Sequence, residues 1–168
     1  MTGEIVIREL QPSDLDAIVE FSVRAWEPVF ASFRQVLGDP IFFRLYPDWE
    51  QDQAEAVREG CTNEAHDVFV AVADGRPVGF STVALNAFHE RMGVVDMIAV
   101  DPDYQRRGIA ARLMDRSIEH MREQGMDIAA VGTGGDPGHA PASARYETAA
   151  VTPLPGVRYV KLIDEPDV

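Results

Sequence analysis

The apolar period of this chain changes near residue 68, and that change limits the folds open to it. Before it, apolar side chains recur at helical spacing; after it, short β-branched runs alternate with turn signals. Ile5-Val6-Ile7 reads as a first strand, and Pro12-Ser13-Asp14 as a helix start followed by Leu15, Ile18, Val19 and Trp26 on one face. Pro28 predicts a break, after which Phe30, Phe33, Val36 and Leu37 form a second helical stretch ending at Gly38. Residues 39–49 are rich in aromatics, and Asp48 with Gln51 predicts a further helix to about Gly60, then a polar loop.

The second half is mostly strand. Val68–Ala73 and Val78–Phe88 flank Asp74-Gly75-Arg76-Pro77 as a hairpin, and Val94–Val100 is the next strand. From Arg106 to about Gln124, Ile109, Leu113, Met114, Ile118 and Met121 line one helical face, with Gly125 as the stop. Ile128–Val131 reads as a short buried strand, Gly132–Gly138 as a Gly-rich loop, Ala140 to about Ala149 as a helix, and Val157–Ile163 as a closing strand. This order predicts one α/β (α+β) domain over residues 1–168, a mixed and mostly antiparallel sheet flanked by helices.

Composition excludes several functions. The single cysteine, Cys61, rules out an internal disulfide and a multi-thiolate metal site. The four histidines lack the short spacings zinc requires, so no metal is expected. No apolar run is long enough to cross a bilayer, and residues 1–4 resemble no secretory signal, which points to the cytoplasm. A formal net charge of −13 disfavours nucleic acid and anionic membranes. That acidity serves either solubility or the attraction of cationic substrates.

Positive charge is concentrated once. Arg106, Arg107 and Arg112 fall in Gln105–Arg112, a stretch without an acid, where a strand turns directly into a helix. Such a turn presents unpaired backbone N–H groups at the positive end of the helix dipole and can bind an anion. Gly108 permits close approach of the backbone, Ala110 is nearly as small, and the arginines would serve further phosphates. A nucleotide-like pyrophosphate suits this turn; an ordinary helix start with solvated arginines is the alternative. A Walker A loop is excluded, because Lys161, the only lysine, lies in the last predicted strand. The dinucleotide fingerprint is excluded because its second and third glycines are missing at the helix.

Gln105-Arg106-Arg107-Gly108-Ile109-Ala110 resembles the Gln/Arg-x-x-Gly-x-Gly/Ala signature of the GNAT N-acetyltransferase superfamily, and Ala142-Ser143-Ala144-Arg145-Tyr146-Glu147 resembles that family's Ala-x-x-Leu-Tyr-Glu segment. The resemblance covers roughly Val68 to Ile163. It implies a GNAT-like sheet splayed between its fourth and fifth strands, and acetyl-CoA as co-substrate. The amides of Arg107, Gly108, Ile109 and Ala110 would hold the pyrophosphate, with Gln105, Arg106 and Arg112 around it. The pantetheine arm would lie along Ile98, Ala99 and Val100, where a backbone N–H can polarise the thioester carbonyl. A primary amine of a small molecule or peptide would attack directly.

Proton transfer needs further groups. Tyr146 occupies the position of the family's general-acid tyrosine; as a residue alone it reads as a half-buried helix tyrosine sharing a face with Ala142 and Ala149. Asp96 is the ionisable residue of an apolar strand, expected on the same side as Val94, Ile98 and Val100. A carboxylate partly withdrawn from water there would accept a proton readily; facing solvent or binding a cationic group is the alternative. Glu90 and His89, in the preceding turn, are lesser candidates. Helical spacing makes most of the aromatics from Trp26 to Trp49 core residues; Trp26 or Phe30 would line the acceptor site, where an aromatic face suits an ammonium group.

Three departures stand out. Arg145 replaces the usual leucine, Ala150-Val151 the usual Gly-Phe, and His139 the asparagine often found seven residues before the tyrosine. His139 could hydrogen-bond the pantetheine or reach the thioester; a capping or exposed histidine is the other reading. The rival functions are a catalytically degenerate acyl-CoA-binding module, a protein N-terminal or lysine acetyltransferase, and another CoA-thioester reaction on the same scaffold. The family includes homodimers, and nothing in the sequence marks an interface.

Overall fold

Five strands occur in chain order across one sheet of the computed structural model, which describes residues 3–148 and 151–163. They are β1 (Ile5–Glu9), β2 (His66–Ala73), β3 (Arg76–Ala84), β4 (Met92–Val100) and β5 (Ile128–Val131). The first three pairings are antiparallel; β4 and β5 are parallel. The helices are α1 (Leu15–Leu37), α2 (Asp39–Leu45), α3 (Trp49–Thr62), α4 (Ile109–Glu123) and α5 (Ala140–Thr148). No helix among the described residues is long and apolar enough to cross a membrane.

Two compact units divide the chain. The first comprises residues 1–25 and 50–132 and contains the whole sheet. Alternation along β3 explains its two-sided core. A Cβ on Gly79 would sit 3.2 Å from Ile109 and Leu113, and the buried Ser81 hydroxyl meets that of Ser117 at 2.9 Å, so this face carries α4. Phe80, on the other face, packs against Phe21 of α1 with ring centroids 6.3 Å apart. Phe69, Ala71, Val78, Val83, Val95, Val100, Leu113 and Met121 form the main apolar cluster beneath α4. These are the residues whose spacing predicted strands and an amphipathic helix.

The second unit, residues 26–49 and 133–168, is built on rings. Buried Phe30 stacks on Trp49 at 4.4 Å and meets Phe33 and Tyr46 edge-on at 5.6 and 5.5 Å, while Phe33 and Tyr46 stack at 5.7 Å. Such contacts add to the area the rings bury.

Three expectations fail. Pro28 does not end the helix: α1 is continuous to Leu37. Pro28 is exposed, so the carbonyl that loses its N–H partner can turn to water. β5 has the expected bounds but is not buried; as the sheet's last strand it leaves Ile128 56% exposed. The predicted closing strand over Val157–Ile163 is absent: residues 151–162 have no regular structure, and Leu154, Val157, Tyr159 and Ile163 are exposed. The run 157–163 contains no proline, but it has no paired neighbour among the described residues, and a strand without one is not stable alone. Ala150, and the predicted helix end at Ala149, lie outside the described residues.

Candidate active site

In the first unit, β4 carries one extra residue. Thr82 is opposite Met97 and Val83 opposite Val95, which leaves Asp96 unmatched as a β-bulge. Val95 and Val100 both pack in the cluster beneath α4, with Ile98 against it, although strict alternation would put Val95 on the opposite face from both. The bulge inverts the facing of the strand. Asp96 therefore does not share one continuous face with Val94, Ile98 and Val100, and it is exposed rather than partly withdrawn from water. Glu90 is exposed in the turn before β4, where Asn86, Phe88 and Arg91 all adopt positive φ.

β5 pairs only with Met92–Val95. From Asp96 to Val100 the same edge of β4 has no strand partner among the described residues. The N–H of Asp101 donates to the carbonyl of Val78 at 2.9 Å, toward β3. Backbone groups alternate along a strand, so those of Ile98 and Val100 face the free edge. Consistent with this, Nε2 of Gln105 donates to the Val100 carbonyl at 3.2 Å.

Beyond β4 the chain turns through Asp101–Gly108 into α4. Arg24 of α1 holds Asp101 with two hydrogen bonds of 3.1 and 3.2 Å, and Asp101 in turn accepts from the N–H of Asp103 at 3.0 Å. Arg24 is 77 residues away in sequence, and no local signal marks it. Arg106 has φ +61° and Gly108, the N-cap of α4, has φ +76°. Left-handed residues in a turn swing neighbouring N–H groups into a concavity that suits an anion. The first helical bond runs from the N–H of Arg112 to the carbonyl of Gly108 at 3.1 Å, so the N–H groups of Ile109, Ala110 and Ala111 precede the ladder. Gly108 has no side chain to cap them, and a Cβ built on it would touch nothing within 4 Å. The space over the turn is open.

The three arginines differ. Arg106 is exposed without a hydrogen-bond or ion-pair partner among the described residues. Arg107 lies over the ring of Tyr104 at 4.9 Å and donates to the Asp103 carbonyl at 3.2 Å. Arg112, expected to point at the mouth of the turn, donates to the carbonyl of Ile5 on β1 at 2.7 Å. Open space, unpaired amides and local positive charge fit a phosphorylated carrier. Burial pushes the Cys61 thiol up to about 11, so Cys61 is no nucleophile. Among the described residues no group of three His, Cys, Asp or Glu side chains could hold a metal ion.

The second unit holds Trp26, Phe30, His139 and Tyr146. Trp26 is half-buried, and Phe30, at 8% exposure, is a core ring of the aromatic cluster rather than an open surface. Tyr146 is half-buried on α5. His139 is not exposed on its loop: Nδ1 is 2.5 Å from Oδ1 of Asp136, and its ring lies 5.7 Å from that of Phe33. Asp136 and Phe33 were not singled out as site residues in the sequence; an acid three residues before a histidine was the available signal. Burial would raise the Asp136 carboxyl, but hydrogen bonds from Ser32, His139 and the Gly138 N–H, with the charge of His139, outweigh it and hold the carboxyl below the usual range.

Comparison with known proteins agrees with this architecture. The sequence model of the acetyltransferase (GNAT) family matches residues 30–147. Streptothricin acetyltransferase of Streptomyces lavendulae is 32% identical over 129 residues, covering 70% of this chain and 67% of that protein. An aminoglycoside N-acetyltransferase solved in complex with CoA superposes with a TM-score of 0.63 at 15% identity, covering 96% of each chain. Another, from an uncultured soil metagenomic sample and solved with sisomicin, gives 0.59 at 20% identity, covering 96% of this chain and 97% of that one. The splayed five-stranded sheet and the matched residues make this chain an acetyltransferase enzyme of the GNAT family.

Proposed function

We propose that the protein transfers an acetyl group from acetyl-CoA to a primary amine of a cationic small molecule by direct attack. The observation that carries this reading is the turn from β4 into α4, with its left-handed Gly108, uncapped amides and exposed Arg106 beside an unpaired stretch of β4. Acetyl-CoA supplies the acetyl thioester. The amides of Arg107 to Ala110 bind its pyrophosphate, with Gln105, Arg106 and Arg112 near the same turn. Ile98, Ala99 and Val100 offer a strand edge to the pantetheine arm, and the outward N–H of Ile98 or Val100 polarises the thioester carbonyl as charge develops on its oxygen.

The acceptor class rests on charge and kinship. Named relatives act on streptothricin and aminoglycosides, and a chain of net charge −13 attracts cations. Exposed Asp96, where the free edge of β4 begins, adds negative charge that draws the ammonium group in, and exposed Glu90 in the turn before β4 adds to the acidity of the chain. Trp26 of the second unit offers an aromatic face to the same class of ligand, with Phe30 supporting the rings around it.

Calorimetry with acetyl-CoA, followed by thiol release across a panel of primary amines, tests the reading. Binding with release for polycationic amines is the expected result; binding without release for any amine identifies a sensor module instead. Asp96→Asn is expected to raise KM for the amine about three- to fivefold with kcat unchanged, the effect of losing one exposed charge. A fall in kcat confined to pH values below the amine's own pKa would make Asp96 the proton acceptor instead. Tyr146 donates a proton to the leaving thiolate. A thiol ordinarily ionises near pH ~8.5, so this help is modest, and Tyr146→Phe should lower kcat about tenfold at neutral pH and hardly at all above pH ~9. An unchanged kcat at every pH would remove Tyr146 from the chemistry.

A further inference from the structure

The bulge in β4 decides which of its backbone groups reach the free edge. Val78 turns its carbonyl toward β4, and alternation turns the main-chain groups of Phe80, Thr82 and Ala84 the same way. Before the bulge Ala84 is opposite Val94; after it Thr82 is opposite Met97 and Phe80 opposite Ala99. Were β4 regular, the first register would continue with Thr82 opposite Asp96, Phe80 opposite Ile98 and Val78 opposite Val100. The N–H groups of Ile98 and Val100 would then be spent on β3, and the open edge would carry those of Met97 and Ala99 instead. The extra residue at Asp96 reverses this.

A bulge disrupts the ladder around it, so its backbone donors need partners from elsewhere. Thr82 supplies one from the facing strand. Its hydroxyl accepts the N–H of Met97 at 3.0 Å, and the residue is fully buried. A side chain thus stands where a regular ladder uses a carbonyl. The side chain of Met97 is seated from another direction. A Cβ on buried Gly60 of α3 would lie 3.3 Å from Sδ of Met97 and 3.9 Å from Cγ2 of Thr82. Glycine inside a helix costs stability relative to alanine, and here its bare backbone leaves room for the thioether. Gly60, Thr82 and Met97 all belong to the first unit, as does the turn into α4.

We infer that Thr82 is a positioning residue for acetyl transfer: its hydroxyl, by holding the N–H of Met97, fixes the bulge that keeps the N–H of Ile98 on the free edge of β4. This inference rests on the acetyl-transfer reading, in which an amide of that edge polarises the thioester carbonyl. Thr82 acts through Met97 and the residue after it, not by touching substrate. Valine has nearly the outline of threonine but no acceptor. In Thr82→Val the bulged arrangement would leave the Met97 N–H without its partner, and an unmet buried donor is costly. The regular register, which turns that N–H to the open edge, becomes the better arrangement, and it turns the N–H of Ile98 inward.

Two measurements test this together: amide hydrogen exchange by NMR without acetyl-CoA, and thiol release at saturating acetyl-CoA and accepted amine. In the native protein the Met97 amide should exchange slowly and the Ile98 amide rapidly. Thr82→Val should reverse that order and lower kcat about a hundredfold, the effect of losing one donor to a developing oxyanion. Thr82→Ser, which keeps the hydroxyl, should retain the native exchange order and most of kcat. Thr82→Ala is a second hydroxyl-free variant with the same expected reversal, and the native exchange order is read whichever variants fold. A protected Ile98 amide in the native protein overturns the inference. So does an equal loss of kcat in Thr82→Val and Thr82→Ser, which would trace the effect to packing. Native turnover with kcat unchanged in Thr82→Val refutes the role of Thr82 alone and leaves acetyl transfer standing. Absence of thiol release by the native enzyme with every amine refutes acetyl transfer and the role of Thr82 with it.

Discussion

Gly108→Val should weaken acetyl-CoA binding at least about a hundredfold, as read by calorimetry. The reason is geometric. Gly108 has φ +76°, a region that costs an L-residue about 1–2 kcal/mol and a β-branched one more. Valine would relax toward negative φ and turn the N–H groups of Gly108 and Ile109 away from the concavity. Two hydrogen bonds to a charged phosphate, at about 1.5–3 kcal/mol each, would be lost or bent, which is the source of the hundredfold figure. Loss of open space would add to the effect, since nothing now lies within 4 Å of where the Cβ would project. Gly75→Val is the matched control. Gly75 has φ +78° in the β2–β3 hairpin with nothing nearby, so it should suffer similar backbone strain. It should melt earlier yet bind acetyl-CoA as the native protein does. Equal binding by Gly108→Val and the native chain would remove the turn from the site.

The difference between these two glycines also shows what could be read from sequence. Both follow a polar residue near the end of a β-rich run; only the residues around Gly108, with three arginines and no acid, mark a turn made for an anion. Local patterns of that kind were legible because backbone geometry and short-range spacing create them: the hairpin at Asp74-Gly75, the strand into α4, the face of Ile109, Leu113 and Met121. Features made by distant partners were not. Arg24 buttresses the turn from 77 residues away, and Ser32 meets Gly138 from 106 residues away. The bulge at Asp96 was also hidden, because an extra residue leaves the composition of a strand unchanged while reversing which side each later residue faces. Pro28 misled for a related reason: propensity disfavours it inside a helix, but tertiary packing on both sides of it along α1 outweighs a single lost hydrogen bond. The C-terminal run Val157–Ile163 has strand composition, yet composition cannot supply the neighbour that a strand needs.

Asp14→Ala should produce the largest loss of stability outside the apolar core, for reasons that again combine near and far. Asp14 is 4% exposed just before α1. Its carboxylate accepts two hydrogen bonds from Arg8 of β1, at 2.6 and 2.9 Å, and a third from the N–H of Gln11 at 2.8 Å. It therefore joins the first strand to the start of α1 while satisfying a backbone donor of the intervening turn. Alanine would strand the Arg8 guanidinium and that N–H together. Breaking a buried pair costs about 3–5 kcal/mol, and because Arg8 keeps part of its surface in water the lower figure is expected. For a chain of this length about 3 kcal/mol corresponds to a fall in Tm of roughly 6–12 °C. The pH dependence separates the ion pair from simple packing. The hydrogen bond from Arg8 is the main cause that holds the Asp14 carboxyl below the usual carboxylate range, against an opposing effect of burial. A depressed folded-state value means the pair stabilises the protein fully above the ordinary carboxylate range and ceases to do so as pH falls through the lowered value. The stability difference between the native protein and Asp14→Ala should thus be constant near neutrality and shrink below pH ~4. Asp14→Asn, which keeps the shape and one acceptor oxygen, should retain part of the turn's hydrogen bonding but none of that pH dependence. A gap that stays constant into strong acid would show that Asp14 acts by filling space, not by holding Arg8.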